Sequence, residues 1–116
     1  MRKTAKIFSP TEKKAIKAFK TQLLKKLKGE VLELKLFGSK ARGDFKPWPD
    51  YDIDVLVILK RTSRKKKDFI MDLTDDSLHK YNSLISPKVF SRAEFKKGLD
   101  LQMPFYLEVQ REGVDI

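Results

Sequence analysis

The sequence predicts a small α/β or α+β domain, in which a mixed sheet of three or four strands is packed against helices. Helix and strand signals interleave along the 116 residues in the order helix, strand, short turn, strand, helix, strand, helix, helix. Residues 55–59 (VLVIL) are continuously apolar, as expected for a central strand covered on both faces. The hydrophobic fraction of 41% is sufficient for one compact core. We therefore expect residues 1–116 to form a single domain.

The first predicted helix begins with a capping signal and is followed by the first strand. Residues 9–12 (Ser-Pro-Thr-Glu) fit a capping box with proline at the first helical position. Gly29 ends this helix. Its apolar stripe is Ile16, Phe19, Leu23 and Leu27. In the strand at 31–37, alternation predicts one side formed by Leu32, Leu34 and Leu36 and the other by Glu33 and Lys35.

The second half of the chain contains two further strands and three further helices. The dipeptide Gly38-Ser39 ends the first strand, and the two prolines within residues 44–50 make that segment a loop. The basic run at 61–67 is interpreted as a solvated loop and helix start. The predicted elements are a strand at 51–59, a helix at 68–81, a short or edge strand at 84–90 containing Pro87, a helix from the capping box at Ser91 to about Lys97, and a helix at 104–112 ended by Gly113.

Composition limits the classes of function. The 26 Lys and Arg residues against 16 Asp and Glu give a net charge of +10, which predicts attraction to an anionic partner. The basic residues are scattered with few interleaved aromatics, so RNA binding is the less favoured use of this charge. The absence of cysteine excludes disulfides and thiolate metal sites. No apolar run reaches the roughly 18 residues of a membrane span, and no secretory signal is present, so we expect a cytoplasmic protein.

Two carboxylates at the start of the second strand indicate a site. Asp52 and Asp54 are two residues apart, so on a strand their side chains project from the same face. Such a pair is costly to desolvate unless a cation joins it, and Mg²⁺ bound to substrate phosphates takes one or two carboxylates. Gly38-Ser39 can approach phosphate oxygens closely through backbone N–H groups and the Ser39 hydroxyl. If the two strands are neighbours, these groups face each other, which fits phosphoryl or nucleotidyl transfer.

The pattern Gly-Ser, twelve residues, Asp-Ile-Asp and an apolar strand resembles the DNA polymerase beta nucleotidyltransferase superfamily. Within it, the short chain is similar to the minimal nucleotidyltransferases, which are often found beside a small helical HEPN protein. The resemblance implies a polymerase-beta-like nucleotidyltransferase fold. It implies nucleotide binding by Gly38, Ser39, Lys40 and Arg42, and catalysis and Mg²⁺ binding by Asp52 and Asp54.

The resemblance also implies an activity and a partner. The protein would transfer AMP from ATP to a tyrosine hydroxyl of a HEPN ribonuclease. This modification would silence the ribonuclease, so the protein would be the antitoxin of a toxin–antitoxin pair. An alternative is a catalytically weak or inactive antitoxin that binds nucleotide and neutralises its partner by covering it. An RNA-binding module is the third hypothesis.

The sequence departs from the family pattern in two places. The commoner loop is two residues shorter, which would move the carboxylate pair to Asp50 and Asp52. We prefer Asp52 and Asp54 because the apolar strand begins directly after them. The superfamily usually has a third carboxylate on a later strand, but the matching segment here, residues 84–90, contains no acid. This departure favours the binding-only alternative.

Overall fold

The computed structural model describes residues 8–38 and 52–116, and these form an α+β fold with a four-stranded mixed sheet. This confirms the predicted fold class. The predicted loop at 44–50 lies outside the described residues. In chain order the elements are α1 (Pro10–Lys26), β1 (Val31–Phe37), β2 (Ile53–Leu59), α2 (Arg64–Tyr81), β3 (Ile85–Ser91), α3 (Arg92–Asp100), α4 (Pro104–Glu112) and β4 (Val114–Asp115).

The strand order in the sheet is β3-β2-β1-β4. Strand β1 is antiparallel to both β2 and β4, whereas β3 runs parallel to β2. All five residues at 55–59 are buried, which confirms the predicted central strand. Strand β3 lies at an edge, as predicted from Pro87, because proline has no N–H to donate to a further neighbour.

Helices cover both faces of the sheet and create two apolar cores. On one face α1 and α2 pack on β2 through a cluster that includes Phe19, Val55 and Ile70. On the other face α3 and α4 pack through a smaller cluster of Leu56, Ile58, Phe95 and Val109. Alternate residues of β2 therefore serve different cores, which explains why its sequence is continuously apolar. Asp54 lies on the same side of β2 as the smaller core.

Helix starts follow local capping chemistry. Ser9 and Glu12 form the predicted capping box at α1, with backbone-to-side-chain hydrogen bonds of 2.9 and 3.1 Å. Ser91 and Glu94 form the second one at α3. The predicted start of α2 at residue 68 is wrong, because Ser63 caps the helix four residues earlier by accepting a hydrogen bond from the Lys66 backbone N–H. The last residues of the basic run are thus the first turn of α2.

Three further details differ from the sequence-based expectations. Leu32 packs in the α3–α4 core rather than beside Leu34 and Leu36, because the register with β2 shifts between Val31 and Glu33. Such a β-bulge moves a side chain to the opposite face. Helix α3 extends past Lys97 to Asp100, which pairs with Lys96 at 3.0 Å. The short strand β4 after α4 had no sequence signal, and its Asp115 pairs with Lys35 at 2.9 Å.

Gly98 fixes how closely α3 and α4 approach, and Gly98→Ala is expected to destabilise the protein. A Cβ atom at this buried position would lie 2.5 Å from three ring atoms of Tyr106. That ring packs against Phe90, Phe95 and Phe105 at centroid distances of 5.3, 5.4 and 5.4 Å, so moving it would disturb three other rings. Overpacking costs about 1–3 kcal/mol, against a helix-propensity gain of about 1 kcal/mol.

Urea unfolding measures this effect. The exposed residue Ala93 in the same helix provides a matched control, since Ala93→Gly reports the propensity contribution alone. A Gly98→Ala protein that is more stable than the parent would show that the α3–α4 contact adapts freely.

No helix within residues 8–38 and 52–116 is both long and apolar enough to cross a membrane.

Candidate functional site

The end of β1 and the start of β2 bring Gly38 against the carboxylate of Asp54. Phe37 is the register partner of Asp54, so Gly38 directly follows the last paired residue of β1. Gly38 has a φ of 83°, in the left-handed region that favours glycine. A Cβ atom at this position would overlap Oδ2 of Asp54 and lie 3.2 Å from its Cγ. The backbone at residue 38 can therefore approach Asp54 this closely only because residue 38 has no side chain.

Asp54 has a perturbed proton affinity. Burial raises the pKa of the Asp54 carboxyl above its usual value, the negative charge of Asp52 raises it further, and the positive charge of Lys88 opposes them. Asp52 is exposed immediately before β2. The two carboxylates thus interact unfavourably when both are ionised, and a bound cation would relieve both the repulsion and the desolvation.

Several of the predicted site residues lie outside the described residues. Ser39, Lys40 and Arg42 belong to this group, as does Asp50, the alternative carboxylate. Their roles in phosphate and metal binding stay predictions. Of the predicted site residues, the described part of the chain contains Gly38, Asp52 and Asp54. It places Gly38 in contact with Asp54, and Asp52 close enough for its charge to affect Asp54.

The parallel neighbour of β2 adds two polar residues that sequence reasoning did not assign. Ser86 is the register partner of Asp54, and Lys88 is the partner of Leu56. Side chains alternate along a strand, so Ser86, Lys88 and Phe90 share a face, and Phe90 identifies it as the α3–α4 face. The alternation of Ser86, Lys88 and Phe90 was visible in the sequence. The pairing of this strand with β2, which puts Ser86 beside Asp54, was not.

A cavity of about 170 Å³ opens beside Gly38, between the end of β1 and α4. Its apolar wall consists of Phe37, Phe105 and Val109, and its polar wall consists of Glu108 and Glu112. The sequence analysis assigned no role to the two glutamates. The cavity therefore extends from Gly38 toward α4.

Asp52 and Asp54 are suitable ligands for one Mg²⁺ that is also bound by a substrate phosphate. Carboxylate oxygens are hard ligands, and Mg²⁺ commonly takes one or two of them and completes its shell with water and substrate phosphates. Among the described residues, no group of three or more His, Cys, Asp or Glu side chains is placed to hold a metal. Two carboxylates are therefore the protein ligands that this part of the chain offers.

A carboxylate pair beside a glycine at a strand end, in a small mixed sheet, is compatible with phosphoryl or nucleotidyl transfer. The model of the nucleotidyltransferase domain family matches residues 16–109. This match spans both strands of the site and most of the helices. The chain therefore belongs to the nucleotidyltransferase domain family, as one of its minimal members.

Two curated proteins of Methanocaldococcus jannaschii are similar over nearly the whole chain. Both carry the name "Putative protein adenylyltransferase". One is 35% identical over 102 residues, covering 88% of this chain and 94% of the relative. The other is 32% identical over 102 residues, covering 87% of this chain and 94% of the relative.

Proposed function

We propose that this protein is a Mg²⁺-dependent nucleotidyltransferase that moves AMP from ATP to a hydroxyl group of a partner protein. The contact between Gly38 and the Asp54 carboxylate is the observation that carries the proposal, because it brings backbone that has no side chain directly against a potential metal ligand. The family match supports nucleotidyl transfer. The names of the two relatives support ATP as donor and a protein as acceptor.

Each residue has a distinct part in this proposal. Asp52 and Asp54 hold the Mg²⁺, which when bound neutralises phosphate charge and orients the triphosphate. Gly38 allows the phosphate to approach Asp54. Ser39, Lys40 and Arg42 contact the triphosphate, as the family resemblance implies.

The reaction substitutes at the α-phosphorus of ATP. The acceptor hydroxyl oxygen forms a bond to this phosphorus, and the bond from phosphorus to the oxygen bridging to the β-phosphate breaks. Pyrophosphate leaves with that oxygen, and the hydroxyl proton passes to solvent. The protein contributes mainly position and charge, which dominate catalysis of transfer at phosphorus.

The proposed acceptor is a small helical HEPN-type protein, and the proposed role is that of its antitoxin. The motif resemblance supports this choice. A second candidate is an antitoxin that binds nucleotide and partner without transfer. It is favoured by one observation, namely that Ser86 rather than an acid stands beside Asp54 on β3.

Incubation of the purified protein and its genomic neighbour with α-³²P-ATP and Mg²⁺, followed by a denaturing gel, tests the proposal. We expect label on the partner with the parent protein and a loss of at least about 100-fold with Asp52→Asn, since phosphate positioning depends on the metal. Asp72→Asn, which changes an exposed carboxylate on α2, should label normally.

γ-³²P-ATP distinguishes the type of transfer. It should give no label, because the γ-phosphate leaves within pyrophosphate. Label from γ-³²P-ATP would indicate a kinase instead. A stable complex without label from either nucleotide would favour the binding-only antitoxin.

A further inference from the structure

We propose that Lys88 binds the triphosphate of the nucleotide, as a phosphate ligand contributed by β3 opposite the carboxylate pair. The inference deepens the proposed function and rests on it. It assigns to this site a substrate-binding residue outside the Gly38–Asp54 motif.

The register of the sheet gives Lys88 its position. On parallel strands β2 and β3, Ser86 pairs with Asp54 and Lys88 pairs with Leu56. Two residues along a strand span about 6.6 Å and neighbouring strands lie about 4.8 Å apart, so the Cα atoms of Lys88 and Asp54 are separated by about 8 Å. A lysine side chain on its four-carbon stem spans most of that distance. Ser86, which pairs with Asp54, has a short side chain.

The side chain of Lys88 is on the correct face and is exposed. Its strand neighbour Phe90 and its register partner Leu56 both pack in the α3–α4 core, which lies on the Asp54 side of the sheet. Lys88 itself is exposed to solvent. Among the ion pairs of residues 8–38 and 52–116, lysines 35, 66 and 96 take part and Lys88 does not. Its ammonium group is therefore not committed to a carboxylate within this part of the chain.

The negative charges of the site would be stabilised by a cation at the position of Lys88. Asp52, Asp54 and a triphosphate are all anionic, and one Mg²⁺ does not neutralise them together. Lys88 is the described cationic residue whose charge acts on Asp54. The described part of β3 offers no carboxylate that would compete for this ammonium or recruit a second metal. Lysine binds phosphate as a compact point charge, and this is the charge that a triphosphate beside Asp54 would meet.

The test is the affinity for MgATP, measured by isothermal titration calorimetry on the purified full chain. We expect Lys88→Met to weaken MgATP binding about tenfold or more, which is the scale of one charged phosphate contact. Lys88→Arg should stay within about threefold of the parent protein. Lys97→Met, which removes an exposed lysine of α3, provides the matched control for net charge and should bind normally.

The outcomes of the titration, with one further measurement, separate the possible failures. If the parent protein does not bind MgATP, the proposed function fails and the assignment of Lys88 fails with it. If the parent binds and Lys88→Met binds equally well, the assignment of Lys88 is overturned and the proposed function stands. Circular dichroism of Lys88→Met should match that of the parent, because the residue is exposed on an edge strand. A folded Lys88→Met that binds MgATP more tightly than the parent would also overturn the proposal, since Lys88 would then act by repelling the metal.

Discussion

Replacing Asp54 with Asn is expected to abolish MgATP binding and to make the nucleotide-free protein more stable at neutral pH. Asn has nearly the same shape as Asp, so the contact with Gly38 is retained. It carries no charge, so the desolvation cost and the repulsion from Asp52 disappear together. The stability gain should be roughly 0.2–1 kcal/mol, the scale of interactions between charges that are partly exposed. The loss of binding follows because a neutral amide is a poor Mg²⁺ ligand.

The pH dependence of this gain follows from the direction of the pKa shift. The pKa of folded Asp54 lies above its ordinary value of 3.8, chiefly because of burial. Between the two values the folded protein binds more protons at this group than the unfolded chain does, so raising the pH through this window lowers the free energy of unfolding. The stability advantage of Asp54→Asn should therefore be fully present above the folded pKa. It should vanish as the pH falls below 3.8.

Urea unfolding of both proteins at a series of pH values, without nucleotide or Mg²⁺, measures this difference. Asp72→Asn is the control, because it also removes one carboxylate, but an exposed one on α2. It should show little change at any pH. A less stable Asp54→Asn that still binds MgATP would indicate that this carboxylate supports the fold rather than a metal.

Elements whose signals are local could be predicted closely from the sequence. The bounds of β1 agree with the prediction because the alternation and the following glycine both lie within a few residues. The start of α1 was fixed by the Ser9–Glu12 capping box. The start of α2 was missed, since Ser63 acts there without an acidic partner in the first turn. The bulge that turns Leu32 to the other face depends on pairing with β2, which no local pattern encodes.

The same distinction between local and nonlocal information applies to the candidate site. The sequence suggested that Gly38 and Asp54 face each other if their strands are neighbours, and the antiparallel pairing of β1 with β2 meets this condition. Ser86 and Lys88 could not be placed, because the neighbour of β2 on its other side is separated from it by the whole of α2. Glu108 enters the surroundings of the site only through the packing of α4. Residues contributed by elements that are distant in sequence could therefore be assigned to the surroundings of the site only from the fold.

Gly38→Ala is expected to reduce AMP transfer at least about 100-fold, well beyond what its effect on stability explains. The new methyl group would overlap Oδ2 of Asp54 and would force the carboxylate out of its position. A displacement of about 1 Å at a reacting centre costs about 100-fold in rate. It would also fill the space in which the phosphate is proposed to lie. The measurement is the rate of partner labelling from α-³²P-ATP, together with urea unfolding of the same preparation.

Gly29→Ala is the matched control that isolates the contact with Asp54. Gly29 has a φ of 81°, nearly equal to the 83° of Gly38, and a Cβ atom there would have nothing within 4 Å. Both variants should therefore lose about 1–2 kcal/mol of stability from the left-handed backbone conformation. Only Gly38→Ala adds a collision with a proposed metal ligand, so only this variant should lose transfer. If both variants transfer AMP at the same rate, the close approach of Gly38 to Asp54 serves the pairing of β1 with β2 rather than the nucleotide, because backbone strain is the one property that the two substitutions share.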